Sequence, residues 1–412
     1  MPPRPDRNFW LLVGDAGLFS LAAVCFDASV VLPVFVAQFT ASPLLIGAPA
    51  AVRLGGLYLP QLPAALSIRR FQRIKGFLMW QVVVGRVALL ACLPAAWFAA
   101  AVSPAAVLAI VLSAFAVFAF TEGAATLAWL DLVGDVVHSR LRGRYFGIVQ
   151  LLGGLASVGA GFGVRGLLAN AVSPPDFVPL FAWGIVAFFL SAACIALVRE
   201  PRDAVRAVPD EPTLTHVAEL LRGGHLLRLG VAQVLAGSLQ LALPFYVLFG
   251  RDRLGLTTDW LGSFIVAQTV GASIAAIAWA RLAERYGARL VIGLSAGVLV
   301  IIPLVAVLSE RIGGGALLMV VFGLAGAANG GSRSGFWQYI LDLVPARDRR
   351  VFMGLANTAN APSLLMPIIG GLLLDWSGYE WLLAGSVLAG VGATLSGVWL
   401  ARPGAAEAPS AA

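Results

Sequence analysis

From Phe9 to Phe39 the chain runs through 31 residues with only two charges, Asp15 and Asp27. About 20 apolar residues of helix cross the hydrocarbon core of a bilayer, so this stretch is long enough to span. It follows the basic start MPPRPDRNFW, yet it is far longer than a signal-peptide core and has no small-residue cleavage site. It therefore reads as a retained first span. Similar runs recur to the end of the chain and set its composition: 59% hydrophobic and 12% charged residues, against roughly a quarter charged in soluble domains. A water-soluble globule could not hide so much apolar side chain, because folding always leaves a large surface to cover. The surplus must face lipid.

On that ruler the sequence predicts an all-α integral membrane protein of twelve transmembrane helices. They fall near residues 10–37, 44–67, 76–98, 105–134, 145–169, 178–198, 227–249, 259–281, 289–309, 314–342, 352–375 and 380–401. Pro33, Pro60, Pro244 and Pro367 predict kinks inside spans. With the N-terminus inside, cytoplasmic segments carry 21 Arg/Lys and outer connections 3 (Arg251, Arg253, Arg311); the other 4 of 28 lie within spans. The positive-inside rule then puts both termini in the cytoplasm, in a plasma (inner) membrane. Topology thus accounts for the net charge of +7, and no nucleic-acid partner is expected. The longest polar stretch, REPRDAVRAVPDEPTLTHVAELLRGGH from Arg199, separates an N-terminal six-helix half (1–198) from a C-terminal six-helix half with a short tail (227–412). The linker itself, 199–226, is expected to hold one short helix, THVAELLR.

Several chemistries are excluded. Lys75 is the only lysine and follows Ile74, so no Walker-type phosphate loop can form and ATP cannot fuel transport on this chain. Cys25, Cys92 and Cys194 sit singly in separate apolar runs, without metal-ligand or redox spacing. His138, His216 and His225 all fall in polar connections. Neither a metal site nor a histidine-assisted nucleophile can be assembled inside the spans. No cofactor, metal or enzymatic activity is expected.

One basic elbow occurs twice. DVVHSRLRGRYFG begins at Asp135 and DLVPARDRRVFMG at Asp342, 207 residues on, with Arg140 matching Arg347, Arg142 matching Arg349, and Gly147 matching Gly354. The elbows follow spans four and ten, so the chain reads as two pseudo-symmetric halves in the same orientation, the parallel-repeat plan of major facilitator transporters.

The sequence resembles the major facilitator superfamily across essentially its whole length. The best local match joins spans eight and nine, WARLAERYGARLV from Trp279. It is similar to the family's G-x-x-x-D-R-x-G-R-[RK] loop, with Glu284 as the acid, then Arg285, Gly287 and Arg289. Small residues there permit close helix crossing, Gly287 a tight turn, and the acid can face the positive end of a neighbouring helix, span five. With the elbow residues, the resemblance implies a cytoplasmic gate of Asp135, Arg142, Arg281, Glu284, Arg285, Gly287, Arg289, Asp342 and Arg349. The matching loop of the first half, ALSIRRFQRIKG, departs: Ile68 stands for the acid and Phe71 for the glycine. Span four departs too. Proton-coupled exporters of the family commonly read R-x-x-Q-G there, whereas this chain has AFTEG, with Ala119 for the Arg and Glu122 for the Gln. Glycine-rich span five and an Asp shortly before a Pro in span one, FDASVVLP, loosely resemble exporters.

A charge inside a span costs at least about 2.5–3.5 kcal/mol on insertion scales, so it faces the protein interior and has a partner. Asp27 and Arg53 fall at similar depth on consecutive spans and are expected to pair, leaving Asp27 charged and structural. Arg86 lies near the middle of span three, Glu122 inward on span four, and Asn329 opposite it in the repeat, with Arg333 one turn on. The family fold lines its central cavity with spans one, four, seven and ten. The resemblance thus implies a substrate and coupling cavity of Asp27, Arg53, Arg86, Glu122, Asn329 and Arg333, joined by Gln240 and Asn357. The competing reading is a set of ion pairs that only hold helices together. Asp15, Asp131 and Asp375 lie near predicted span ends and read as interfacial.

The function these features favour is secondary transport of a small organic solute by alternating access. Export is favoured, with protons as the coupling partner at Glu122, by a monomer embedded in lipid. The alternatives are uptake on the same fold and a non-transporting membrane receptor or scaffold.

Overall fold

The apolar runs fold as helices, and proline and glycine decide where each is interrupted. A computed structural model describes residues 5–68, 73–138, 141–169, 171–200, 224–312, 314–343 and 349–400, and every regular element among them is helical. Ten helical stretches are long and apolar enough to cross a membrane. The difference from twelve predicted spans has two local causes. The predicted second span is two helices, α3 (Pro43–Tyr58) and α4 (Gln61–Ile68), parted at Leu59–Pro60, because proline withholds an N–H from the helix ladder. The predicted eleventh and twelfth spans run on from Phe352 to Trp399 and turn at Gly378, whose φ of 78° suits glycine.

The helices group into two compact units, Met1–Pro209 with Leu256–Val266, and Asp210–Gly255 with Ala267–Ala412. In the first unit, α1 (Arg7–Cys25) is capped by Asp6, whose carboxylate accepts from Phe9 N–H at 2.9 Å. A break at Phe26–Val30 separates it from α2 (Val31–Val36), just ahead of Pro33. Then come α5 (Ile74–Leu89), α6 (Cys92–Trp97), the long α7 (Pro104–Val136), α8 (Arg142–Leu168) and α9 (Val178–Leu197). α7 packs on α3 and α5, and α1 on α8 and α9. At the α3–α7 crossing a Cβ on Gly56 would stand 2.5 Å from Ala119, and one on Gly123 would stand 2.0 Å from the Gly56 carbonyl. Only small residues allow that approach.

The second unit holds α10 (His225–Ala236), α11 (Leu239–Ala242), α12 (Tyr246–Leu254), α13 (Trp260–Tyr286), α14 (Ala288–Ile312), α15 (Gly315–Leu343), α16 (Arg349–Ala359) and α17 (Met366–Trp399). The start of α13, up to Val266, groups with the first unit. α14 packs on α15 and α17, and α10 on α16 and α17. All four prolines expected to kink spans sit beside a helix break: Pro33 and Pro60 as above, Pro244 in a 3-10 turn at Leu243–Phe245, and Pro367 after a 3-10 turn at Ala361–Leu365. The linker helix THVAELLR lies outside the described residues, as do Arg69, Phe71, Arg140 and Arg347.

Both units repeat one clamp. Lys75, at the start of α5, donates to the carbonyls of Ala196 (2.6 Å) and Val198 (2.7 Å) at the end of α9. Arg289, at the start of α14, donates to the carbonyls of Gly397 (3.3 Å) and Val398 at the end of α17. A cation on the last carbonyls of a helix satisfies acceptors the helix cannot, and it opposes the negative end of the dipole. The outer faces carry Trp80, Leu151, Ile274 and Leu388, each more than 60% exposed. Patches so large and apolar are surfaces for lipid.

Candidate functional site

Ionisable side chains from α1, α3, α5 and α7, and from the break after α1, gather inside the first unit. Arg86 on α5 is the most enclosed, at 2% exposure. Its Nη2 donates to Ser191 Oγ on α9 at 3.2 Å, and its guanidinium lies 5.7 Å from the Phe188 ring centre. Its Nε and Nη1 have no hydrogen-bond partner among the described residues. Its strongest charge partner is Glu122, then Asp15. Asp15 on α1 is equally enclosed, at 3% exposure. Ser191 Oγ donates to its Oδ1 at 2.5 Å, and Trp129 Nε1 on α7 donates to its Oδ2 at 2.8 Å. A continuous polar chain, Arg86–Ser191–Asp15–Trp129, therefore crosses four helices.

The sequence reads Asp15 as interfacial; the structure encloses it in the first unit, as the ninth of 19 residues of α1. Sequence reasoning also missed Ser191, a small polar residue in an apolar span. The available signal was that Asp15 lies inside the apolar run, where a carboxylate needs donors.

Glu122 on α7 is half-buried. Its carboxylate makes no hydrogen bond or ion pair among the described residues; Arg86 and, more weakly, Arg53 act on it through space. It stands beside Gly123 at the α3–α7 crossing. That crossing explains the departure from the exporter pattern, since Ala119 is fully buried against Gly56 and an arginine there would hold the two helices apart.

Asp27 does not make the expected ion pair. Its Oδ1 accepts from Ser29 N–H (2.8 Å) and Val30 N–H (2.7 Å), and its carbonyl accepts from Val31 and Leu32 N–H. Arg53 acts on it only through space, and the buried Arg53 Nη1 has no partner. A helix that restarts inside an apolar interior has N–H groups to satisfy, and the nearest carboxylate caps them. Asparagine caps as well as aspartate. Asp27→Asn should therefore keep the wild-type melting temperature in detergent, whereas Asp27→Ala should lose about 1 kcal/mol.

The other predicted residues take different settings. Asn329 and Arg333 lie exposed on α15; Gln240 is half-buried on α11, and Asn357 half-buried on α16. Among the loop residues, Gly287 has a φ of 83°, making the turn between α13 and α14 that its motif implies. Arg285 lies over the Tyr286 ring and Arg289 forms the clamp described above. Arg281 and Glu284 are exposed. Arg142 closes the end of α7 by donating to the carbonyls of Gly134 (2.6 Å) and Val137 (3.3 Å). Asp135 and Asp342 are exposed, and α16 begins at Arg349.

Apolar helices of spanning length with a charged cluster at their centre define a polytopic membrane protein, built to hold polarity where lipid would not. The sequence matches the Major Facilitator Superfamily profile over residues 16–363 and 253–412, and the chain belongs to that family. It is accordingly a membrane transporter and not an enzyme. No curated protein sequence matches it. Among solved structures it is similar to a bacterial homologue of the iron transporter ferroportin in the inward-facing state (TM-score 0.73, 15% identity, 96% of this chain and 99% of that one). It is also similar to a D-xylose–proton symporter (TM-score 0.73, 14% identity, 96% and 97%). The nucleoside transporter NupG is a third such structure (TM-score 0.69, 15% identity, 95% and 100%). At these identities the likeness establishes the fold.

Proposed function

We propose that this transporter moves a small organic solute by alternating access, as a monomer of twelve spans in two six-helix halves with both termini cytoplasmic. Glu122 carries the reading: it is a half-buried carboxylate in the 33-residue helix α7, with no bonded partner among the described residues and a buried arginine nearby. A charge held only to join helices would be paired and bonded, as Asp15 is. Glu122 is the group that takes up and releases the coupling proton, and the Arg86–Ser191–Asp15–Trp129 chain is the rigid wall that keeps Arg86 beside it. Asn329, Arg333, Gln240 and Asn357 are the solute-contacting candidates of the second half, and Glu284 is its gate residue. The exporter-like features of spans one and five favour export. A thermal-stability screen against small solutes, followed by flux in vesicles of known orientation, tests substrate and direction together. An exporter accumulates the stabilising solute in inside-out vesicles, whereas accumulation in right-side-out vesicles establishes uptake.

The topology has its own expected result. Single cysteines replacing Ser139 or Ala346, both outside the described residues, should react in intact cells with a permeant maleimide only, because 21 of the Arg/Lys lie on that side and 3 on the other. Labelling of either by an impermeant maleimide contradicts the assignment.

A further inference from the structure

Two broken helices meet inside the second unit. α10 stops at Ala236 and the chain turns through Gly237–Ser238. α16 stops at Ala359, and Asn360 leads into the 3-10 turn Ala361–Leu365. The helices touch at two levels: a Cβ on Gly230 would stand 3.0 Å from the Ala359 Cβ, and one on Gly237 would stand 2.7 Å from the Ser363 Cβ. Gln233 lies between those glycines, about one helical turn from each, so it shares their face and looks toward the stretch from Asn360 to Ser363.

Among the described residues three side-chain oxygens here have no hydrogen-bond partner: Gln233 Oε1, Asn360 Oδ1 and Ser363 Oγ. Their residues are 8%, 8% and 1% exposed. Buried polar atoms are nearly always bonded, and each exception needs an explanation. Three exceptions on one contact, two of them carbonyl acceptors without any donor function, need a common one. Ser238 Oγ, also unpartnered, lines a small cavity with Leu299, Pro303 and Ser386 and is not counted with them.

The electrostatics give the sign of the missing partner. α10 and α16 both end at this level, which brings the partial negative charge of two helix C-termini to the breaks, although the carbonyls of Gln233, Leu235, Ala356 and Asn357 also accept backbone N–H groups there. Neither the stretch 230–240 nor 356–366 holds a lysine, arginine or histidine. A cation fits. Its class follows from the ligands: no carboxylate lies in either stretch, whereas calcium and magnesium sites are built on carboxylates, and neither stretch holds a histidine or cysteine for a transition metal, the one soft donor being the Met366 thioether. The close helix contact favours a small ion.

We propose that sodium binds at the paired breaks of α10 and α16, held by Gln233 Oε1, Asn360 Oδ1, Ser363 Oγ and the terminal carbonyls of the two helices. Non-helical backbone at membrane depth is tolerated where it is buried in protein or lines a cavity, and such breaks can present carbonyl ends to an ion. The site does not depend on Glu122 or on the transport reading, and its test needs no flux.

The test is thermal unfolding of the purified full-length protein in detergent, with sodium chloride exchanged for potassium or choline chloride at constant ionic strength. Sodium should raise the melting temperature saturably, by about 3 °C or more. Asn360→Ala should weaken the half-saturating sodium concentration at least about 10-fold. Should that variant fail to fold, Ser363→Ala removes one hydroxyl and should do the same, while Ser386→Ala, a buried serine outside the site, should respond to sodium as wild type. Binding of radioactive sodium to the same variants should follow the same order. No sodium response, an equal response to potassium or choline, or an unchanged response in Asn360→Ala and Ser363→Ala overturns the proposal.

Discussion

Glu122→Gln should reduce solute accumulation driven by a pH gradient to the level of empty liposomes, while leaving exchange of solute for solute intact. Exchange moves no net proton, so a residue whose only task is to carry one is dispensable there. The asymmetry comes from the surroundings of Glu122. Arg86 and Arg53 act on it through space, and among the described residues no hydrogen bond or ion pair holds the carboxylate in one form. Glutamine keeps the size and polarity and removes the titration. If the residue only held helices together, both modes would fall alike. Gradient-driven flux at the wild-type rate in Glu122→Gln removes the assignment.

Arg86→Met should be the most destabilising change within the cluster, by about 3–5 kcal/mol, since removing one member of a buried charged group strands the others. Methionine replaces much of the volume, so the loss reports charge more than packing. Asp15 and Glu122 would both lose their arginine. Ser191→Ala removes a neutral bridge between Arg86 and Asp15 and should cost less, about 1–3 kcal/mol. Adding Asp15→Asn to Arg86→Met should recover part of the loss, because the amide oxygen can accept from Trp129 while its NH2 donates to Ser191 Oγ, which no longer accepts from Arg86. Thermal unfolding in detergent checks all three. A wild-type melting temperature for Arg86→Met would mean that the polar chain does not brace the four helices.

The helices themselves were legible because lipid demands long apolar runs, and the internal repeat because Asp135 to Gly147 returns at Asp342 to Gly354. Gly287 declared its turn through the residues around it. What stayed hidden was decided by three-dimensional neighbours. The apolar run alone puts Asp15 near the start of the first span; the capping aspartate Asp6 starts α1 at Arg7, more than two turns before Asp15, and the donors that enclose Asp15 come from other helices. Asp27 and Arg53 matched in depth, yet the break between α1 and α2 puts unbonded N–H groups closer to the carboxylate than any guanidinium. Ala119 read as a lost arginine, but its small size is what lets α3 reach α7. Gly237 and the Asn360–Pro362 stretch signal helix breaks in the sequence, but only the fold brings the two breaks together, with Gly230 against Ala359 and Gly237 against Ser363.

The most direct measurement of the central claim is counterflow in proteoliposomes, using whichever solute stabilises the purified protein. Liposomes preloaded with unlabelled solute and diluted into a trace of labelled solute need no ion gradient, so the result does not depend on coupling or direction. A transporter takes up label transiently above equilibrium, and protein-free liposomes do not. Stabilisation by a solute with no counterflow above protein-free liposomes would contradict the account and leave a membrane receptor on a transporter fold.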